Sequence, residues 1–151
     1  MPTIPKQAHT ALVLGGGVGG VVAASRLRKL LPRSHRIVLI DRERQQLFQP
    51  SLLWVAVGKR KPERIQRPLS RLQRKGIEVV IGDIARIDAT RRAVRVNGRE
   101  FSGDAMIIAL GAELAPELVP GLAAAGLNLY TVDGARAVRD ALAAFAGGHV
   151  V

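Results

Sequence analysis

The sequence contains no cysteine. That excludes a disulfide scaffold, a thiolate metal site and a cysteine redox centre within these residues. Aromatic side chains are scarce: three Phe, one Trp and one Tyr among 151 residues. A nucleic-acid module that stacks bases on rings is therefore not expected. The three histidines, His9, His35 and His149, lie far apart without ligand spacing, so no metal site is expected either. No apolar run approaches the roughly 20 residues of a membrane-spanning helix. The opening Met1-Pro2-Thr3-Ile4-Pro5-Lys6 has no apolar stretch of the secretory type. The expected location is cytoplasmic. Acidic residues are few, 12 against 23 Lys and Arg, giving a net charge of +11. The excess is local, because residues 1–99 carry 21 basic and 6 acidic groups while residues 100–151 carry 2 and 6. Arg outnumbers Lys by 18 to 5, so compositional bias accounts for the excess as readily as a polyanionic partner does.

Hydrophobic residues, at 48%, are abundant enough for a real core. Ala11-Leu12-Val13-Leu14, closed by glycines, reads as a buried parallel strand. Gly20, Ala23, Ala24, Leu27, Leu30 and Leu31 then share one face of a helix, with Arg26, Arg28 and Lys29 towards water and Pro32 as the stop. Ile37-Val38-Leu39-Ile40 is a second strand ending at Asp41. Strand, helix and strand in about 30 residues make a βαβ unit. Residues 42–67 read as irregular. A short helix is framed at 68–75 by Pro68 and Gly76, followed by a strand at 77–81. Residues 84–88, 93–96 and 99–101 read as an antiparallel meander, with Asn97-Gly98 as a tight turn. Residues 105–110 return to a continuous apolar strand, and 127–131 form a further candidate strand. Asp133 can cap a last helix whose buried stripe is Ala135, Val138, Leu142 and Phe145, ended by Gly147-Gly148. Residues 1–9 read as a tail, and His149-Val150-Val151 as the start of another strand. The expected fold is α/β: a Rossmann-like parallel sheet with helices on both faces and an inserted antiparallel β-meander.

The chemistry is concentrated in Gly15-Gly16-Gly17-Val18-Gly19-Gly20. It contains GxGxxG as Gly15, Gly17 and Gly20, set between a strand and a helix, with Asp41 lying 21 residues after Gly20. In a dinucleotide site Gly15 permits the turn, Gly17 lets the backbone approach a pyrophosphate, and Gly20 lets helix and strand pack. The helix start, with Val18 and Gly19, offers N–H groups and the positive end of the dipole to phosphate. Asp41 can accept hydrogen bonds from the ribose hydroxyls. This fingerprint alone does not separate NAD from FAD, and a non-catalytic nucleotide-binding module also satisfies it.

Residues 10–151 resemble the N-terminal FAD domain of the two-dinucleotide-binding flavoproteins. The likeness is carried by Val13-Leu14 with the glycine run, by Asp41, by residues 82–88 (Gly-Asp-Ile-Ala-Arg-Ile-Asp), and by residues 104–111, where Leu110 stands in place of the usual Thr. The segment Phe48-Gln49-Pro50-Ser51-Leu52-Leu53-Trp54-Val55-Ala56-Val57-Gly58 is most similar to sulfide:quinone oxidoreductases and flavocytochrome c sulfide dehydrogenases, with type II NADH dehydrogenases next. The resemblance implies that Gly15, Gly17, Val18, Gly19 and Gly20 hold the FAD pyrophosphate, with Ala109 and Gly111 beneath it. It implies that Asp41 holds the adenosine ribose, Arg42 lies over the adenine, Ile84 meets the adenine edge through its backbone, and Pro50 approaches the isoalloxazine. It implies a flavin-dependent oxidoreductase using sulfide or NADH as donor and a quinone or cytochrome as acceptor. Residues 10–148 are then an incomplete FAD-binding domain and 149–151 the start of a second dinucleotide-binding domain. No residue present is assigned as catalytic. The CxxxxC pair of glutathione-reductase-like members has no counterpart in residues 42–58.

Lys59, Arg60, Lys61, Arg64, Arg67, Arg71, Arg74 and Lys75 crowd seventeen residues against one acid, Glu63. This segment is a solvated basic face or a contact for an anionic surface, either lipid headgroups, peripheral on the inner membrane, or RNA. An uncovered sheet edge and apolar face favour a homodimer.

Overall fold

In the computed structural model, residues 8–149 are described. Most of the expected tail, residues 1–7, and Val150-Val151 of the expected final strand lie outside that range. In chain order the regular elements are β1 (Thr10–Leu14), α1 (Val18–Leu30), β2 (Arg36–Asp41), β3 (Gln45–Leu47), α2 (Leu52–Ala56), β4 (Gln66–Pro68), β5 (Glu78–Ile81), β6 (Ile84–Asp88), β7 (Ala93–Val96), β8 (Arg99–Ser102), β9 (Ala105–Ile108), α3 (Leu122–Ala125) and α4 (Val132–Ala144). Four 3-10 segments join them: Gln49–Ser51, Pro62–Arg64, Leu69–Lys75 and Pro116–Leu118. The residues form two compact units. One comprises the chain up to Gln46 together with Pro68–Gly111, and the other Leu47–Arg67 together with the chain from Ala112.

The first unit is built on a four-stranded sheet of order β5-β2-β1-β9. All its pairings are parallel and in register: Leu12 lies opposite Val38 and Met106, and Leu39 opposite Val79. The alternation of strand side chains therefore sorts whole rows to one face. Val13, Ile37 and Leu39 pack with Ala24 of α1 and with Leu69 and Leu72 of the 3-10 segment. Leu12, Leu14, Val38 and Ile40 pack on the other face against Val94 and Val96 of the meander. A fully buried side chain of this kind contributes about 1.5–3 kcal/mol. Within this unit the second layer is thus the antiparallel sheet β6-β7-β8. Its β7–β8 turn has Asn97 and Gly98 at φ +47° and +78°, as the Asn-Gly pair demands.

Several elements differ from the expectations. Residues 42–67 are not irregular: they contain β3, α2 and β4, each three to five residues long and too short for a hydrophobic period to register. Pro68 closes β4, and the helical segment starting at Leu69 is 3-10 rather than α, with Gly76 left-handed at its end. The final parallel strand stops at Ile108 and is an edge strand, so Ile108 and Leu110 are about half exposed where burial was expected. Leu30 is 65% exposed, beyond the reach of the core that holds Ala24. Arg28 does not point to water. Its Nη1 donates to the His35 carbonyl and its Nη2 to those of Leu31 and Pro32. The guanidinium thus ties the C-cap carbonyl of Leu31 to the turn that follows α1. His9, assigned to the tail, is held by a hydrogen bond from its N–H to His35 Nδ1 (3.0 Å) and by ring stacking at 5.4 Å.

In the second unit α2 packs against α4 through Leu52, Val55, Ala56, Ile65 and Ala135, with Val132 and Val138 alongside. No strand forms at 127–131. Asn128 Oδ1 accepts from the N–H groups of Tyr130 and Thr131, a local bond that competes with strand pairing. The cap of α4 is Thr131, whose Oγ1 accepts from Gly134 N–H at 3.0 Å, with Asp133 in the first turn instead. Leu142 and Phe145 are about half exposed, because five-residue α2 spans too little length to cover a 13-residue partner.

Candidate dinucleotide-binding site

β1 ends at Leu14, and three glycines carry the chain into α1. Gly15 has φ +106°, and its N–H donates to the Ile40 carbonyl at 2.8 Å. A Cβ there would stand 2.2 Å from the carbonyl oxygen of Ala109. Glycine is therefore required twice over, by conformation and by the close passage of the segment after β9. The Ala109 N–H also bonds the Leu14 carbonyl at 2.7 Å, which fixes that passage. A Cβ on Gly20 would fall 1.8 Å from the Gly15 oxygen, so the start of α1 rests directly on the turn.

Gly16 and Asp41 form a junction that the GxGxxG spacing does not reveal. The Gly16 N–H donates to Asp41 Oδ2 at 2.5 Å, and the Glu43 N–H donates to Oδ1 at 2.6 Å. A side chain on Gly16 would strike Leu69 Cδ1 at 2.5 Å and crowd Asp41 Cβ at 3.1 Å. The one sequence signal is an extra glycine in a position where the fingerprint tolerates any residue. Asp41 thus has one backbone donor on each oxygen, and each oxygen keeps a further lone pair for a hydroxyl. The Asp41 carbonyl accepts from Gly82 N–H at 2.9 Å, which brings the start of β6 to the end of β2.

Gly17 is the open position. A Cβ on it would meet nothing within 4 Å. It caps α1 with no side-chain hydrogen bond, and the first turn holds no acidic residue. Val18 and Gly19 are exposed beside it, and a Cβ on Gly19 would lie 3.8 Å from Ala109 Cβ. The free N–H groups and positive dipole end of a 13-residue helix thus face an unobstructed space. A diphosphate fits that arrangement, and a ribose fits the acceptor at Asp41.

The remaining candidates divide. Gly111 has φ +80°, with open space where a Cβ would stand, two residues past Ala109. Ile84 packs its partly buried side chain against the core that holds Leu12 and Leu14 and lies opposite Val96 in the meander. Arg42 is exposed, with Nε 4.0 Å from Glu43 Oε1. Pro50 belongs to the second unit, where it is exposed in the 3-10 segment Gln49–Ser51. The structure therefore gathers Gly15, Gly17, Val18, Gly19, Gly20, Asp41 and Ala109 in one unit, and Pro50 is not among them.

The amino ends of the same strands are organised by side chains. Thr10 N–H donates to Asp104 Oδ2 at 2.7 Å, and Asp104 N–H donates to the Thr10 carbonyl at 2.8 Å. The Thr10 N–H, with help from His9, holds the Asp104 carboxyl below its ordinary pKa.

Comparison with known proteins agrees with this geometry. Residues 9–151 match the pyridine nucleotide-disulphide oxidoreductase family. The sulfide-quinone reductase of Aquifex aeolicus is 36% identical over 110 residues, covering 72% of this chain and 25% of that protein. The type II NADH:quinone oxidoreductase Ndh of Mycobacterium tuberculosis is 32% identical over 114 residues, covering 72% of this chain and 24% of that protein. The crystal structure of the Aquifex aeolicus sulfide:quinone oxidoreductase superimposes with a TM-score of 0.84 at 30% identity, covering 91% of this chain and 32% of that one. The chain spans about a quarter of the length of the curated relatives it matches. Glycine turn, acidic strand end and family match converge, and the chain belongs to the pyridine nucleotide-disulphide oxidoreductases, a family of FAD-dependent oxidoreductases.

Proposed function

We propose that residues 10–148 are the FAD-binding portion of an enzyme that oxidises sulfide and passes the electrons to a quinone. The open backbone cradle at Gly17, closed on one side by Asp41, carries the cofactor part of this reading. Gly15, Gly17, Val18, Gly19 and Gly20 receive the pyrophosphate, with Ala109 and Gly111 beneath it. Asp41 accepts from the ribose, and Arg42 and the Ile84 backbone address the adenine. Bound FAD supplies the two-electron chemistry, and the chain's own residues supply binding and orientation. The sulfide donor and quinone acceptor are supported by the Aquifex relative, and by the Phe48–Gly58 segment that resembles such enzymes. NADH is the second reading for the donor, supported by the Mycobacterium relative, and cytochrome the second for the acceptor.

Quinones reside in the bilayer, and the second unit has a suitable surface. Among the described residues no helix is long and apolar enough to cross a membrane. Phe48, Leu53, Trp54 and Val57 are nevertheless exposed, and Lys59 Nζ lies 5.5 Å from the Trp54 ring centre. Apolar side chains beside lysine suit peripheral contact with anionic lipid. The deciding experiment is anaerobic mixing of the FAD-loaded full-length protein with sulfide or with NADH. Bleaching of the flavin band by sulfide alone supports the first reading, and bleaching by NADH alone replaces it with the second.

A further inference from the structure

A second concave site lies in the first unit, at the amino ends of the sheet strands and so at the end opposite the glycine turn. It is a cleft of about 430 Å³, lined by Arg28, Arg33, His35, Arg36, Gln73 and Glu78 over a floor of Ile37 and Ile77. Both floor residues are 1% exposed. The volume falls within the range of small-molecule sites.

Its charge is unbalanced. Three guanidinium groups line it against one carboxylate. Arg36 Nη2 is paired with Glu78 Oε2 at 2.7 Å. Arg33 bonds only a neutral carbonyl, that of Lys75, through Nη1 at 2.9 Å. Arg28 likewise bonds only carbonyls. Arg33 and Arg36 are both exposed, and each has donors left over from these single bonds. His35 adds another. Its Nδ1 accepts from the His9 N–H, so the neutral ring carries its proton on Nε2 and presents a donor there. Guanidinium forks suit the oxygens of a phosphate.

We propose that this cleft binds the phosphate group of a small molecule, with the phosphate on Arg33, Arg36 and His35. This goes beyond the proposed redox function and does not depend on it. Glu78 opposes the ligand, because it occupies Arg36 and adds negative charge. The site therefore has a built-in asymmetry: loss of Glu78 tightens binding, and loss of the arginines weakens it.

The test is an NMR titration of the 151-residue chain, following the His35 ring and the Gly76 amide. 5′-AMP is expected to produce saturable shifts with a dissociation constant of about 1 mM or tighter. Inorganic phosphate should shift the same signals, and adenosine should leave them unmoved. Arg33→Gln with Arg36→Gln should weaken AMP binding about tenfold or more, and Glu78→Gln should tighten it. Gly17→Val, which alters the glycine turn at the other end of the sheet, should leave the shifts unchanged. Absence of saturable shifts, equal shifts with adenosine, or insensitivity to the double arginine variant would overturn the proposal. So would loss of the shifts in Gly17→Val, or a response to phosphatidate vesicles with none to AMP.

Discussion

The two ends of the parallel sheet solve one electrostatic problem by opposite means. At the carboxyl end, Gly17 to Gly20 present backbone N–H groups and a helix dipole, with no cationic side chain among them. At the amino end, Arg28, Arg33, Arg36 and His35 present side-chain charge. A backbone cradle is rigid, since the turn that carries it is held by the bonds of Gly15 to Ile40 and of Gly16 to Asp41. A side-chain cradle must be ordered at an entropic cost of up to about 2 kcal/mol for each long side chain. The carboxyl end should therefore tolerate almost no substitution, and the amino end should lose function gradually.

Four measurements test that contrast. The largest effect is expected for Gly17→Val. FAD binding should vanish while the far-ultraviolet circular dichroism and melting temperature stay close to those of the parent, because the new side chain enters ligand space and its Cβ has no protein atom within 4 Å. Normal binding would reduce the glycine run to a turn. Asp41→Ala should come next, with FAD affinity down about tenfold or more for the loss of a charge-assisted bond of about 1.5–3 kcal/mol. Asp41→Asn should recover little, because its NH2 would face either the Gly16 or the Glu43 N–H. Fluorescence titration with FAD compares the two. Arg28→Ala should cost about 1–2 kcal/mol in urea unfolding through three lost carbonyl bonds, with FAD affinity unmoved. A fall in affinity would show that the two ends are coupled.

The smallest effect concerns Asp104. Its carboxyl is held below the ordinary value, so its contribution to stability is present above the usual carboxylate range. It is lost as pH falls through the lowered folded value. Unfolding followed from neutral pH into strong acid should show this, and Asp104→Asn should flatten that part of the profile. An unchanged profile in the variant would assign the acid sensitivity to other carboxylates.

The first βαβ unit was legible because each of its features has a local cause. The apolar quartet at 37–40, the acid after it and the breakers at Gly15 and Pro32 act within a few residues, and β1 and β2 fall where expected. The meander was legible because Asn97-Gly98 accepts a conformation that few pairs accept. What escaped depends on partners distant in sequence. The Gly16–Asp41 bond spans 25 residues, and the Arg28 clamp reaches carbonyls that only the turn after α1 brings near. The pattern at 142–145 reads as buried, but burial needs a second surface, and α2 is too short to provide one. Within the candidate site the glycines and Asp41 were legible from spacing. The contribution of Ala109 could be suggested only by resemblance, because it makes its contact through backbone atoms that no side-chain pattern encodes.

The position of β9 also sets the order in which the site can come into being. Ala11 pairs with Ile37, 26 residues on, and with Ala105, 94 residues on. A ribosome adding about 5–20 residues each second delivers β9 some 5–20 s after β1. Until then β1 has one neighbour, and the turn at Gly15 lacks the Ala109 carbonyl that closes over it. The strand, helix and strand that look like a finished nucleotide site in the first 41 residues are therefore an unfinished one on the nascent chain. Capacity to hold the cofactor should emerge abruptly, once the meander has folded back and its last strand has docked.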